Sequence, residues 1–385
     1  MSNYFTDEQI SLLAKAKTEK KYIHLKNENQ SLKDIMDLNH LNKLISMHNC
    51  WNQKNFSLVL DKNIIPFANY STSGDDLGFS SISPDPFKVE DYIKKGASLV
   101  LNDLIYLSKD IEKLAIDLQN VTNGKCQANL YFSMQSHQAF APHFDTHDVF
   151  ALHCEGEKVW NIYENFEQDP INHPIFKNTL DERTKKSGKI IEQILLKPGD
   201  LLYLPRGQFH DALASKNGTV HLAFGITYMK PLDIFQYYWE EFIVNEYFRS
   251  DIKEISSINN VKEIHDNISK EVNKILNNQQ LYEHSLKFFN NWPYKLTGYN
   301  IEKIVNDGVQ YEISKNISIL VEGDNLFLSN EKTKVPVPEK FLEITRFTFE
   351  NKVISHNLIK NNFSGLNDET IIEFIDAMKN MKVFV

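Results

Sequence analysis

The sequence predicts a mainly β core, folded as a sandwich or barrel, with helices before it and a helical segment and a small mixed α+β unit after it. Three observations support this fold class. Between residues 128 and 228, short β-rich segments follow one another, separated by turn residues and without helical patterns between them. Leucine and isoleucine recur at helical spacing near the N-terminus. After Pro231 the sequence becomes aromatic and amphipathic, which indicates a change to helices.

The part before the β region is predicted to be mostly helical. Apolar residues at three- and four-residue spacing predict helices at residues 7–20, 31–49 and 107–120. Residues 56–60 (FSLVL) are predicted to form a strand because β-branched and aromatic residues dominate there. Residues 70–86 are rich in Ser, Gly, Asp and Pro, so we expect a loop.

The β region contains six segments of strand-like composition, each bounded by turn residues. They are residues 129–132, 149–153, 158–163, 190–196, 200–204 and 220–224. The polar connection at residues 164–188 is long enough to be a functional loop over the mouth of a barrel.

Beyond the β region, residues 234–248 and 251–290 show helical periodicity and predict a helical module. Two strands, at residues 317–321 and 325–328, and a helix at residues 368–380 are expected after it, a combination that occurs in winged helices. The predicted parts of the chain are therefore residues 1–230, 231–310 and 311–385.

Length and charge limit the possible functions. With 385 residues, of which 42% are hydrophobic, the chain can bury a sizeable core and form two or three folded units. A net charge of −9 and a pI near 5.8 disfavour a nucleic-acid surface spread over the whole protein. Residues 311–385 carry nine Lys and Arg against eleven Asp and Glu, so we expect no direct DNA binding by this part.

Cysteine usage and hydropathy predict a cytoplasmic protein without a membrane span. The spacing of Cys50, Cys126 and Cys154 fits neither a disulfide framework nor a zinc ribbon, so buried free thiols are expected. No stretch approaches the roughly 20 apolar residues that a membrane span needs, and the N-terminus lacks a basic region followed by an apolar run.

Two histidines and one aspartate form a candidate metal site. His143 and Asp145 are two positions apart, so on a strand they share a face, and His210 can reach the same ion from a distant strand. A turn signature at residues 198–200 (PGD) starts a strand, and residues 205–210 (PRGQFH) are predicted to form a second turn that delivers His210 into a barrel interior. Two imidazoles and one carboxylate leave three coordination positions open, which is what non-haem Fe(II) oxygenases use.

Four other histidines of this region are possible metal ligands or neighbours of the site. His147 shares the predicted strand face two positions after Asp145 and is the nearest rival ligand, since a histidine-rich cupin site would use it. Asp145 is preferred because a carboxylate suits Fe(II), and His147 then lines the pocket or bonds a loop. His153 and His221 are expected to be packed or hydrogen-bonded residues, and His137 lies in a polar loop where either role is open.

Lys158 is a candidate anchor for the carboxylate of a co-substrate. It stands at the start of a predicted strand, where an inward ammonium group would be costly unless it paired with a bound anion. A solvent-facing lysine in a hairpin is the alternative, and general burial frequencies favour that alternative. Asn129 and Tyr131 alternate onto one face of the preceding strand and can hydrogen-bond the same co-substrate, or they are ordinary strand residues.

Five segments carry a family resemblance. They are residues 96–98 (GAS), 129–131 (NLY), 142–150 (PHFDTHDVF), 155–160 (EGEKVW) and 197–210 (KPGDLLYLPRGQFH). In order and spacing they resemble the JmjC-type ribosomal oxygenases, which are Fe(II)- and 2-oxoglutarate-dependent protein hydroxylases. The similarity covers residues 50–230 in detail, and the layout beyond them looks like the dimerisation and C-terminal domains of the same family.

The resemblance implies a fold and a site. The fold is a double-stranded β-helix (jelly-roll or cupin) barrel, followed by a helical dimerisation module and a winged-helix-like C-terminal domain. By position, His143, Asp145 and His210 match the iron ligands of the family. Lys158 matches the residue that holds the distal carboxylate of 2-oxoglutarate, and Asn129 and Tyr131 match residues that line the pocket. One departure is residues 221–227 (HLAFGIT), where some members of the family have a Ser-Thr pair after a His-Leu.

The resemblance also implies cofactors and partners. Fe(II), 2-oxoglutarate and O2 would be required, the partner would be a protein or peptide substrate, and residues 231–310 would form a homodimer. A histidine or arginine side chain of a ribosomal protein is the expected target. The same chemistry on RNA or a small molecule, demethylation, and a non-catalytic metal-binding cupin regulator remain alternatives.

Overall fold

The computed structural model describes residues 4–384, except 27–29, 77–78, 135–138, 178, 215–217, 253–254, 256, 292–304, 306–307, 324 and 331–332. The chain divides into two compact units, Met1–Leu296 and Thr297–Val385. The first unit thus contains the predicted β region together with the helices that follow it.

The N-terminal segment forms three helices and three short strands. They are α1 (Asp7–Glu19), α2 (Gln30–Lys33), α3 (Leu38–Ile45), β1 (Ile23–Leu25), β2 (Phe56–Leu60) and β3 (Asn63–Ile64). Thr6 begins α1 with a reciprocal cap, because its side chain accepts from the amide of Gln9 and its amide donates to the Gln9 side chain. The helix predicted at residues 31–49 is interrupted, since Asp37 caps a new helix by accepting from the amide of His40.

The prediction of a loop at residues 70–86 was wrong. Strands β4 (Ser71–Asp76) and β5 (Phe79–Pro84) pair there as an antiparallel hairpin. A two-stranded ladder satisfies its backbone groups by hydrogen bonding without an apolar face, so its composition resembled that of a loop. Helices α4 (Pro86–Lys94) and α5 (Lys109–Thr122) follow, and α5 confirms the predicted helix at residues 107–120.

Eight strands build the β region. They are β6 (Ser98–Leu101), β7 (Lys125–Ser133), β8 (Asp148–Glu155), β9 (Lys158–Phe166), β10 (Ile190–Leu196), β11 (Leu201–Leu204), β12 (Gln208–Ala214) and β13 (Thr219–Thr227). The larger sheet has the order β1-β11-β8-β13-β7-β6-β2-β3, and the smaller sheet has the order β10-β9-β12. All six predicted strands are present, and the predicted mainly β core is confirmed.

The two sheets pack face to face around an apolar cluster. Its members come from β8 and β11 of the larger sheet and from β9 and β10 of the smaller one: Val149, Ala151, Leu202, Leu204, Trp160, Ile162, Ile194 and Leu196. The other face of the larger sheet packs on the N-terminal helices and α5 in a second cluster. The interior between the sheets is therefore where inward side chains of β7, β9, β12 and β13 meet.

Strand β12 was not predicted. Residues 205–210 were interpreted as a turn. Gln208, His210 and Asp211 interrupt any apolar pattern in this segment, yet all three are buried. The connection at residues 164–188 contains helix α6 (Leu180–Ser187), which Thr179 and Glu182 cap reciprocally.

Among the described residues of the first unit, five helices follow the β region. They are α7 (Pro231–Tyr237), α8 (Trp239–Val244), α9 (Glu246–Arg249), α10 (Ile258–Leu276) and α11 (Gln279–Asn291). Tyr238, Phe242 and Leu281 form their buried core, whereas Trp239 and Phe235 are exposed. The predicted change to helices after Pro231 is confirmed.

The second unit has its own core. Its elements are β14 (Gln310–Glu312), β15 (Ser318–Glu322), β16 (Asn325–Ser329), β17 (Lys334–Pro336), β18 (Val353–Ser355), α12 (Leu342–Asn351), α13 (His356–Asn362) and α14 (Asp368–Asn380). Strand β14 pairs with β18, and β16 lies between β15 and β17. Ile354, Ile371 and Phe374 are fully buried, so the predicted strands and the helix at residues 368–380 pack into one small α+β unit.

The three cysteines are free, and their burial differs from the expectation. Cys126 and Cys154 are buried, whereas Cys50 is exposed because it ends a short 3-10 turn after α3. Burial raises the pKa of the Cys154 thiol to about 12. Among the described residues, no helix is long and apolar enough to cross a membrane.

Candidate metal centre and its pocket

Backbone pairing brings the two candidate histidine ligands together. His143 lies in an isolated antiparallel bridge with His210, in which each amide donates to the other residue's carbonyl at 3.0 and 2.8 Å. The Gly207 amide donates to the Asp145 carbonyl at 3.0 Å and extends the pairing toward the aspartate. The prediction that residues 143–145 lie in a strand was wrong, because β8 begins only at Asp148.

The turn that delivers His210 depends on Gly207. Its φ of +96° lies in the region that glycine adopts without strain. A Cβ at this position would lie 2.0 Å from the carbonyl oxygen of Glu167. Only glycine fits between β11 and β12 here, so the predicted turn signature corresponds to a real close approach of two backbones.

The three side chains form a compact donor cluster. One ligand atom from each of His143, Asp145 and His210 lies within 4.8 Å of the others, and His210 Nε2 is 3.6 Å from Asp145 Oδ2. Nδ1 of His143 donates to the carbonyl of Ala141 at 2.9 Å, and Nδ1 of His210 donates to that of Gln208 at 3.0 Å. Because a carbonyl only accepts, both rings carry a proton on Nδ1, which leaves Nε2 as the ring nitrogen available to a metal.

The protonation states in this cluster suit a divalent cation. Burial, with the nearby His143, lowers the pKa of His210 to about 4, so the ring is neutral at pH 7. Burial would raise the pKa of Asp145, but His143, His147 and His210 outweigh it and lower this pKa below its ordinary value. Two imidazole nitrogens and one carboxylate are the donors that Fe(II) and related ions take, and they leave open coordination positions. The residues therefore fit a bound metal.

A cavity of about 250 Å³ extends from this cluster into the space between the sheets. Besides the three candidate ligands, inward side chains line it: Asn129, Tyr131 and Ser133 from β7, Lys158 and Trp160 from β9, Ala212 and Ala214 from β12, and His221 and Ala223 from β13. All the residues predicted for the site thus line one cavity.

Lys158 points inward and is 5% exposed, so the solvent-facing alternative is wrong. Its Nζ lies 3.3 Å from Ser133 Oγ and 3.4 Å from His221 Nδ1. Burial lowers the pKa of this amine to about 7. Among the described residues no carboxylate pairs with it, and a buried amine in such surroundings is prepared to receive an anionic ligand.

Asn129 and Tyr131 occupy the same wall. The Asn129 side chain accepts from the amide of Asp103 at 3.3 Å. The Tyr131 ring stacks on His221 with centroids 4.8 Å apart and an interplanar angle of 8°. Burial and the charge of Asp145 raise the pKa of the Tyr131 hydroxyl to about 12, so it stays a neutral hydrogen-bonding group.

Comparison with known proteins identifies this region. The family model described as "JmjC domain" matches residues 105–234. Over residues 105–234 the chain is therefore similar to JmjC domains. Among curated relatives, the chain is 34% identical over 151 residues to the Drosophila persimilis "Bifunctional lysine-specific demethylase and histidyl-hydroxylase NO66", and 35% identical over 95 residues to "Ribosomal oxygenase 1" of Rattus norvegicus. The predicted resemblance to the JmjC-type ribosomal oxygenases is confirmed.

These matches are partial in length. They cover 38% and 25% of the chain, but only 21% of the Drosophila protein and 16% of the rat protein. A solved structure of the ribosomal oxygenase YcfD from Escherichia coli, in complex with cobalt and 2-oxoglutarate, matches 100% of the chain and 99% of its own with a TM-score of 0.53. At 16% sequence identity, this similarity shows the fold.

Ser133, Trp160 and His221 line the cavity but were not predicted as site residues. Ser133 follows Asn129 and Tyr131 at the same two-residue spacing, and Trp160 follows Lys158 in the same way. Strand alternation would have found both. His221 was expected to be packed or hydrogen-bonded, which is correct, but its contact with Lys158 joins two distant strands and leaves no local signal.

His147 is not part of the donor cluster found among the described residues. It lines the cavity against Gly225 on β13. A Cβ at residue 225 would lie 2.6 Å from Cδ2 and 2.7 Å from Nε2 of His147. The absent side chain of Gly225 therefore makes the space for this imidazole. His153 is buried, and His137 lies outside the described residues.

We expect Gly225→Ala to lower the free energy of unfolding by about 1–3 kcal/mol, because the added methyl group overlaps the His147 ring. The effect should vanish when His147→Ala has already removed the ring. Chemical denaturation of the two single variants and the double variant measures this coupling. Equal destabilisation by Gly225→Ala in both backgrounds would show that the ring is not the obstacle.

Proposed function

We propose that the protein is an Fe(II)- and 2-oxoglutarate-dependent dioxygenase that hydroxylates an amino-acid side chain in a protein or peptide. The observation that carries this proposal is the cluster of His143, Asp145 and His210 in one cavity with the buried Lys158. The JmjC domain and the names of the relatives agree with it.

In this proposal His143, Asp145 and His210 hold Fe(II), through Nε2 of each ring and a carboxylate oxygen. The bound ion would supply open coordination positions and the oxidising chemistry with O2. One oxygen atom would enter a C–H bond of the substrate to give an alcohol, and the other would enter succinate as 2-oxoglutarate loses CO2. Backbone hydrogen bonds from both Nδ1 groups fix the rings, so the donors need no rearrangement.

Lys158 would hold the distal carboxylate of 2-oxoglutarate, with Asn129 and Tyr131 along the wall between it and the metal. Trp160 packs between a candidate metal ligand and a neighbour of Lys158. The centroid of its ring lies 5.6 Å from that of His210 and 5.5 Å from that of His221. Close packing of aromatic side chains excludes water from the reacting groups and fixes their positions.

A histidine or arginine side chain of a ribosomal protein is the proposed target. Support comes from relatives whose names are "histidyl-hydroxylase" and "Ribosomal oxygenase". The relative's name also includes a lysine-specific demethylase. Hydroxylation is the proposed reaction for this chain, and RNA, small molecules and demethylation are alternatives for the test.

The test is oxidation of ribosomal components by the purified protein. We expect that Fe(II), 2-oxoglutarate and air produce succinate and add one oxygen to one protein among those extracted from ribosomes, measured by intact-mass spectrometry. The His210→Ala variant is the control and should give neither product. Mass gain in ribosomal RNA, or loss of a methyl group from a protein, would support an alternative. Metal binding without succinate formation would favour the non-catalytic regulator.

Assembly and location complete the proposal. We propose that residues 231–310 form a homodimer interface, supported by the exposed apolar side chains Leu232, Phe235, Trp239 and Val244. Residues 311–385 are proposed to be a winged-helix-like protein-docking domain that does not bind DNA, consistent with their net negative charge. Three free cysteines agree with a cytoplasmic location.

A further inference from the structure

Strands β8 and β11 stop pairing just before the segments that carry the candidate ligands. They are antiparallel neighbours, and at this end of their ladder the last pair joins Val149 and Leu204. The next residue of the chain, Pro205, has no amide hydrogen and cannot donate to a continued ladder. Arg206 is therefore the first residue after β11 whose amide needs an acceptor.

The carboxylate of Asp148 supplies that acceptor. Its Oδ1 accepts from the Arg206 amide at 2.8 Å, and its Oδ2 accepts from the Tyr203 hydroxyl group at 2.8 Å. Asp148 is 5% exposed and Tyr203 is 1% exposed, so both hydrogen bonds to this carboxylate are shielded from water. Asp148 thus ties the start of β8 to the turn that follows β11.

Asp148 acts from outside the cavity. Among the described residues, neither the donor cluster nor the lining of the cavity includes it. Phe150 and Leu152 follow it at two-residue spacing and pack in the apolar cluster between the larger sheet and the N-terminal helices. Its carboxylate therefore lies on the face of β8 that is turned away from the candidate metal ligands.

The turn that Asp148 holds sets the position of the ligands. The residue after Arg206 is Gly207, whose amide donates to the Asp145 carbonyl at 3.0 Å. Three residues later, His210 pairs with His143 through both backbone groups. A shift of the turn would change the register of this pairing, and with it the distances between the donor atoms.

We propose that Asp148 is a positioning residue for the metal centre, because it holds the turn at residues 205–207 through the Arg206 amide. This inference rests on the metal centre of the proposed function. Without the carboxylate, the Arg206 amide would lose its acceptor and would have to find another one, which moves the turn. The two chain segments that carry the ligands would then no longer meet in the register that suits a cation.

The test is calorimetric binding of Co(II) to the full chain and its variants. We expect Asp148→Ala to weaken Co(II) binding by about tenfold or more, as loss of a residue that orients metal ligands does. Asp148→Asn keeps an oxygen for the Arg206 amide, and its NH2 group can donate to the Tyr203 oxygen, so its Co(II) affinity should stay within about threefold of that of the natural protein.

Tyr203→Phe is the matched control, because it removes the other hydrogen bond of the same carboxylate and keeps the contact with the Arg206 amide. It should lower the free energy of unfolding and leave Co(II) affinity within about twofold of that of the natural protein. If Asp148→Ala does not fold, Asp148→Ser takes its place. Its hydroxyl oxygen is one bond short of the Oδ1 position, so the same loss of affinity is expected.

The visible absorption spectrum of bound Co(II) is a second readout, because it reports the arrangement of the ligands. At saturating Co(II), the spectrum should change in Asp148→Ala and stay unaltered in Asp148→Asn and Tyr203→Phe. A loss of stability alone would not produce this difference.

Two results would overturn the inference. The first is unchanged Co(II) affinity and spectrum when the carboxylate of Asp148 is removed. The second is an equal loss of Co(II) affinity in Tyr203→Phe, which a general loosening of β8 and β11 would produce. Failure of the natural protein to bind Co(II) would instead overturn the metal centre itself, and with it the proposed function.

Discussion

Replacing His143 with alanine is expected to abolish succinate formation and to weaken Co(II) binding by more than about 100-fold. The physical reason is that His143 supplies one of three donors within 4.8 Å, and its neighbours leave no fourth donor among the described residues to replace it. Isothermal titration with Co(II) and detection of succinate measure both effects.

The matched control is His48→Ala, since His48 is an exposed histidine outside the cavity. It should retain metal binding and turnover. Asp145→Ala and His147→Ala separate the two candidate ligands, and only the first should lose the metal. Retained succinate formation in His143→Ala would contradict the proposed site, and loss of metal in His147→Ala with none in Asp145→Ala would support the histidine-rich cupin alternative.

Lys158→Met is expected to weaken 2-oxoglutarate binding by about 100-fold, because it removes a buried cation that forms a charge-assisted hydrogen bond with the distal carboxylate. Co(II) affinity should be unchanged. Lys189→Met changes an exposed lysine and is the matched control. Unaltered 2-oxoglutarate affinity in Lys158→Met would show that the anion lies elsewhere.

The lowered pKa of Lys158 predicts that 2-oxoglutarate binding and protein stability depend on pH in opposite directions. Burial lowers the pKa of Lys158 to about 7 from 10.5, and the anion binds the ammonium form. The affinity for 2-oxoglutarate should therefore fall by about tenfold per pH unit above pH 7. Between pH 7 and 10.5 the unfolded chain binds more protons at this residue than the folded one, so its contribution to the stability of the ligand-free protein rises with pH.

The titratable groups next to Lys158 do not change their charge in the same pH range. His221 and His153 are the titratable residues that interact with Lys158, and burial lowers the pKa of both, that of His153 to about 4. Both rings stay neutral across the whole window. Calorimetry and chemical denaturation at several pH values measure the two slopes, and in Lys158→Met both contributions should disappear.

Much of the fold followed from local patterns. The strand that carries Asn129 and Tyr131, and the one that begins at Lys158, have alternation and turn residues that act over a few positions. The same rule failed for the hairpin at residues 71–84, whose strands have no apolar face. It also failed for β12, where His210 and Asp211 are polar and buried, because tertiary contacts and not local composition place them.

Site residues could be predicted where they lie close together in the sequence. They were harder to predict where a contact joins two segments that are far apart in the sequence. His143 and Asp145 were identified from spacing, although the backbone between them is not a strand. His210 needed the turn signature at Gly207. The contacts of Lys158 with His221 and of Gly225 with His147 cross between elements, so no spacing rule in one sequence reveals them.

The bridge between His143 and His210 lies at a junction in the barrel. His210 belongs to β12 of the smaller sheet, while His143 lies five residues before the start of β8 of the larger one. A cation held by both histidines would act as a cross-link between the two sheets, and its binding energy would add to the folding energy of the barrel. Starvation for the metal would therefore lower the amount of folded protein as well as the fraction that is active.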